Sequence, residues 1–261
     1  MSSPFATTLR NSVSRLGNKA IFGSLSLLAL VVVWFLLSGL HLVQPLFLPS
    51  PLDLAMRLEQ ERGALVADVS VTVGRILLGF LAGAWLGILG ALLMERSIIA
   101  NALLNPIVQM LKAIPAIAIA PFALLWFGIG SKGIFFLVVW GVFFVTIIDA
   151  TEAIKNVSHV HKWAAASLGA SPNFIYRHVV FPSIAPGIIG GLRVAAVIAF
   201  NQAVLGEFNS PTGGIGQLII RGYRYIRVDM LFLGILLIAT LSVLVDWLVA
   251  AGGRRWARWV E

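Results

Sequence analysis

The sequence predicts an all-α polytopic membrane protein with six transmembrane helices. Three observations carry this expectation. Of 261 residues, 59% are hydrophobic and 11% charged, whereas a soluble domain carries about a quarter charged residues. The mean hydropathy is +0.95. Apolar stretches of about 20 residues, the length that crosses a bilayer core, recur at roughly 20–40, 69–94, 98–126, 133–153, 183–207 and 229–251.

The elements follow in chain order. Residues 1–19 hold Arg10, Arg15 and Lys19 and no acid. They are expected as a cytoplasmic segment ahead of one transmembrane domain over 20–261. The first apolar stretch exceeds a signal-peptide core and ends in Leu40, His41 and Leu42, not in a small-residue cleavage site, so it reads as a retained helix. In the next loop Ser50 is placed to cap a short helix with Pro51 at its first position, lying on the outer membrane surface.

The second span repeats small residues every fourth position, at Gly79, Gly83, Gly87 and Ala91; the fifth does so at Gly187, Gly191, Ala195, Ala199 and Ala203. That spacing keeps them on one helical face, where small residues let backbones approach closely in lipid. The third span is interrupted by Pro115 and Pro121. Each removes a backbone donor, and interrupted spans line cavities because freed carbonyls need partners. Residues 110–122, with Lys112, Pro115, Ile119 and Pro121, are therefore expected to line a path across the membrane.

The loop 154–182 between spans four and five carries two short helices. The first runs through Val160 to Leu168, and Gly169 stops it. Ser171-Pro172 then restarts a helix that is expected to end before Pro182. Folding alone does not require such a protrusion, and it is well placed to touch a soluble partner.

Charge sets the orientation. With the N-terminus inside, the inner segments hold Arg10, Arg15, Lys19, Arg96, Lys155, Lys162, Arg177, Arg254, Arg255 and Arg258; the outer ones hold Arg57, Arg62, Lys132, Arg221, Arg224 and Arg227. Ten against six places both termini in the cytoplasm. Arg193 and Asp246 fall about 15 Å and 12 Å deep, counted at 1.5 Å per residue, so they are expected to form a structural charge pair. Arg75 and Glu207 sit near the outer ends of spans two and five and are expected to line the same path. Arg75, Lys112 and Arg193 are the candidates to attract an anion along the path.

Much chemistry is excluded. There is no cysteine and no phosphate-cradling Gly-x4-Gly-Lys-Ser/Thr. The histidines, His41, His159, His161 and His178, lie outside mid-span and make no metal-binding pair. No metal and no catalytic site is expected. An ion-coupled secondary transporter is the rival reading, since broken helices occur there too, but it gives the protruding loop no role.

Trp163 to Pro182 resembles the signature of ABC importer permeases: Glu-Ala-Ala, three residues, Gly, nine residues, Ile, one residue, Leu-Pro. Ala164, Ala165, Gly169 and Pro182 match, Val179 and Phe181 replace the Ile and Leu, and Trp163 stands where the Glu would be. Leu46 to Pro51, Trp126 to Gly130, Ser167 to Ser171, Gly191-Leu192-Arg193 and Gly206-Glu207 followed by Gly213 to Gly216 resemble the nitrate/sulfonate/taurine branch. The resemblance implies a type I importer bundle and a non-catalytic subunit. It also implies a coupling helix over 160–169 that docks on an ATPase, with Trp163, Ala164, Ala165, Ser167, Leu168, Gly169, Ala170 and Pro182 as the coupling residues. ATP and Mg would bind the partner ATPase dimer and no cofactor would bind this chain. A second, identical permease copy, a periplasmic binding protein and membrane lipid complete the expected partners, with no nucleic acid. The cargo would be a small, anionic nutrient such as a sulfonate, taurine or nitrate, taken through the bacterial inner membrane.

Overall fold

The computed structural model describes residues 4–40 and 42–256. Residues 1–3 of the expected N-terminal segment and Arg258 of the C-terminal basic cluster lie outside them. The order is α1 (Pro4–Gly39), α2 (Pro51–Gln60), α3 (Arg62–Arg96), α4 (Ile98–Leu111), α5 (Ala116–Phe127), α6 (Ser131–Lys155), α7 (His159–Ser167), α8 (Pro172–Ile175), a π turn (Tyr176–Val180), α9 (Phe181–Glu207), α10 (Ile215–Arg224) and α11 (Val228–Trp256). Among the described residues every element is helical. Five stretches are long and apolar enough to cross a membrane, and α4 with α5, bent by 101°, makes a sixth if counted as one span.

The centre is α6, clasped between α3 and α9. The small-residue ridges explain why. A methyl on Gly79 would sit 2.6 Å from Val138 Cγ1, one on Gly83 2.8 Å from Val142 Cβ, and one on Gly87 2.8 Å from Thr146 Cβ. On the other side, Gly187 faces Ala153 and Gly191 faces Asp149. In lipid, where apolar burial gives helices no reason to associate, this close backbone approach supplies the packing. Ile134, Val138, Val142, Ala195, Ala199 and Phe200 fill one core; Ile147, Ile154, Ile184 and Ile188 belong to a second nearer the α7 end.

At the opposite end Leu54 of α2 is buried with Leu65, Leu218 and Leu233, while Ser50 Oγ accepts from Asp53 N–H and Asp53 Oδ2 accepts from Ser50 N–H. Arg57 ties α2 to Asp229 at 2.8 Å. α1 joins the bundle at its C-terminal end, where Trp34 Nε1 donates to the Pro49 carbonyl.

Three features depart from the sequence reading. The second span starts seven residues earlier, at Arg62, and its 35 residues extend about 52 Å, well beyond a core of about 30 Å. The loop after Glu207 contains α10, which packs on α11. The helix begun at Pro172 does not end before Pro182: Phe181 N–H donates five residues back to the Tyr176 carbonyl. This wider turn precedes Pro182, which has no N–H to give, and the chain stays helical to Glu207.

Candidate functional site

The first region is the protruding loop. None of α7 is buried, and Trp163 and Leu168 are 68% and 88% exposed. The helix ends in a closed cap. Gly169, at φ +81°, donates to the Ala166 carbonyl, and Ala170 N–H donates to the Ala165 carbonyl. These two bonds define a Schellman turn, whose left-handed residue favours glycine. Ser171 Oγ accepts from Phe174 N–H to start α8. The loop's base is firm: Ile154, Val157 and Val180 are buried, and Lys162 lies 3.8 Å from Glu95. Trp163, Ala164, Ala165, Ser167, Leu168, Gly169 and Ala170 thus form one knob; Pro182 is half-buried at the start of α9.

The second region is the break between α4 and α5. A cavity of about 340 Å³ there is lined by Lys112, Pro115, Trp140, Gly141, Phe144 and Gln202, among others. Lys112 caps the C-terminus of α4 and is exposed. Ile119 instead packs beside Ala120, Ala123 and Leu137, and Pro121 is exposed within α5.

Arg75 and Glu207 are together, but away from that cavity. Glu207 is fully buried. Its carboxylate accepts from Arg75 Nη1 at 2.8 Å, Thr72 Oγ1 at 2.9 Å and Gly216 N–H at 2.9 Å. Arg75 also donates to Ser131 Oγ, the Gly213 carbonyl and Thr212. Asp68 Oδ1 accepts from Gly214 N–H, and Thr72 Oγ1 from Ile215 N–H. The cluster therefore fastens the start of α10 to α3. A side chain at Gly214, φ +117°, would overlap the Glu207 carboxylate. Sequence reasoning missed Thr72, Asp68 and Thr212 because Thr72 meets Glu207, Asp68 meets Gly214 and Thr212 meets Arg75 only across the fold. Gln202 was findable as a polar side chain inside an apolar span.

Arg193 donates from Nε and Nη2 to Asp246 Oδ1 and Oδ2, both at 2.8 Å. The pair joins α9 to α11 and stays partly exposed on the single chain. Among the described residues no group of three or more His, Asp or Glu side chains could hold a metal ion.

Such a bundle, with a broken span, a midway cavity and an exposed knob at one end, defines a membrane transport subunit. Residues 75–258 match the binding-protein-dependent transport system inner membrane component family, and the chain belongs to that family. The taurine transport system permease protein TauC of Escherichia coli strain K12 is 29% identical over 90% of this chain and 88% of TauC. The putative aliphatic sulfonates transport permease protein SsuC of the same organism is 30% identical over 88% of each chain. A solved structure of the MetNI methionine ABC transporter, inward-facing, shares the fold with a TM-score of 0.62 and 24% identity, over 78% of this chain and 99% of that one. The chain is a non-catalytic ABC importer permease subunit, and the ATPase is a separate chain. An ATPase and a substrate-binding protein are its implied partners. Nothing in these relatives favours an ion-coupled secondary transporter.

Proposed function

We propose that two identical copies of this chain form the membrane path of an ATP-driven importer for a small sulfonate or taurine-like anion. In this reading α7, with Leu168 to Ala170, docks in a groove of the ATPase, which holds ATP and Mg. Both termini lie in the cytoplasm, the membrane is the bacterial inner membrane, and the binding protein delivers cargo at the end carrying α2 and α10. The names of TauC and SsuC support the substrate class. The path follows the α4–α5 break.

The observation that carries the coupling assignment is the knob itself. Apolar side chains 68% and 88% exposed stand on a firmly packed base, and aromatic anchors in such positions are common interface hot spots. The alternating-access mechanism needs that contact: ATP-driven closure of the ATPases would pull the knobs together and rock the two bundles open to the other side. Gly169→Val strains a left-handed residue, and Ala165→Asp adds a charge to the knob. Each is expected to leave membrane insertion intact while losing ATPase co-purification or uncoupling hydrolysis from uptake. Full association and full uptake in both variants would refute the coupling helix.

A further inference from the structure

The cavity at the α4–α5 break has a chemistry that packing does not explain. It lies midway across the bundle: Gly141 is about 15 Å from the start of α6 and Ile148 about 10 Å from its end, at 1.5 Å per residue. Lys112 makes no ion pair with any described residue. A lone cation within a broken span marks a candidate functional position.

Gln202 supplies an independent observation. It is 9% exposed, lines the same cavity, and its Oε1 is sealed in without a hydrogen-bond partner. An unpaired buried amide costs stability, and apolar residues would fill the space more cheaply. The chain also makes room for it. A methyl on Gly141 would lie 2.7 Å from Gln202 Cγ and 2.8 Å from Nε2. Rotation about the last side-chain bond presents either the –NH2 or the C=O to the cavity. Trp140 and Phe144, 4.8 Å apart edge to face, give it an apolar wall. The first turn of α5, through Pro115 and Ala116, brings the positive end of a helix to the same space.

Resting on the permease reading, we infer that this cavity is a transit site for a small oxyanion. Lys112 supplies the charge, the Gln202 –NH2 donates a hydrogen bond, and Trp140 and Phe144 cover the short apolar tail. A sulfonate, a nitrate and a carboxylate share that chemistry. Lys112 and Gln202 therefore add selectivity in the membrane to whatever the binding protein selects.

The test is equilibrium binding of isotopically labelled ethanesulfonate to the full-length permease–ATPase complex in lipid nanodiscs, without binding protein. Saturable binding is expected, displaced by unlabelled ethanesulfonate but not by choline; nitrate and acetate as competitors rank the oxyanions. Losing a charge-assisted hydrogen bond should weaken affinity about tenfold or more in Lys112→Gln. Gln202→Glu keeps the shape and repels the anion, so it should do at least as much, while Lys112→Arg stays within about threefold. Monodisperse elution with bound ATPase controls for folding, and either Lys112→Gln or Gln202→Glu suffices if the other misassembles. No saturable binding in the intact wild-type complex, or unchanged affinity in the well-folded variants, overturns the transit site. Neither result touches the permease reading, which would fall instead if the wild-type chain bound no ATPase.

Discussion

Replacing Glu207 with Leu should be among the most damaging single changes in the bundle, and removing Arg75 as well should undo much of that damage. The structure gives the reason. Glu207 is fully buried and Arg75 is 7% exposed, with 2.8 Å between Arg75 Nη1 and Glu207 Oε1. Glu207→Leu strands a buried guanidinium and leaves Gly216 N–H without its acceptor. Stranding one member of a buried pair costs about 3–5 kcal/mol, a fall in Tm of roughly 10 °C for a chain of this size. The Arg75→Leu/Glu207→Leu double variant leaves no lone charge and should lose less than either single. Heat-induced loss of the monodisperse peak in detergent measures all three, and amide hydrogen exchange at residues 214–216 reports whether the start of α10 comes loose. Additive damage, with the double variant losing the sum of the singles, would show that the clamp is not coupled and refute the reasoning.

Four further outcomes are expected. Arg193→Leu and Asp246→Leu should each lower the folded yield more than the double variant; equal losses in all three would refute the pairing. Gly83→Ala must push α3 off Val142 and the Val139 carbonyl, at 2.8 and 2.9 Å, and should lower Tm, while Gly74→Ala, with nothing within 4 Å, should not; a reversed order would sink the close-packing account. Cysteines placed one at a time over 110–122 should react with a water-soluble thiol reagent to an extent that changes with ATP, and uniform inertness would remove the path from the α4–α5 break. A reporter active only in the periplasm, fused after Glu261 beyond the described residues, should stay silent; strong activity would overturn the orientation.

The fold was legible where the cause is local. Glycines four apart in 79–87 and 187–191 announce a close-packed face whatever they face, and α6 turns out to lie between both ridges. Ser50 with Asp53 three residues on, and Ser171 before Pro172, state helix starts within a single turn. The misses came from effects that local rules cannot see. A proline reads as a helix end, yet the π turn at Tyr176–Val180 carries the helix past Pro182 because Phe181 finds its acceptor five residues back. The outer turns of α3 and the whole of α10 lack the apolar length of a span, so hydropathy left them as loop. They are held by Asp68, Thr72 and Arg75, which bond to the 212–216 segment.

The same distinction separates two of the three candidates for attracting an anion, Arg75 and Lys112, the third being Arg193 in its pair with Asp246. Sequence depth gives Arg75 and Lys112 equal standing, since both are lone cations within apolar spans. Only the folded contacts tell them apart. Arg75 donates to a carboxylate, two hydroxyls and two carbonyls, so its charge is already neutralised and its donors are largely spent. Lys112 makes no ion pair among the described residues and lines a cavity whose other polar wall, Gln202, has an Oε1 without a hydrogen-bond partner. A cation answered by its own fold stabilises that fold; a cation left unanswered beside an unanswered amide is positioned to receive something from outside it. That contrast is why the oxyanion belongs at Lys112 and not at Arg75.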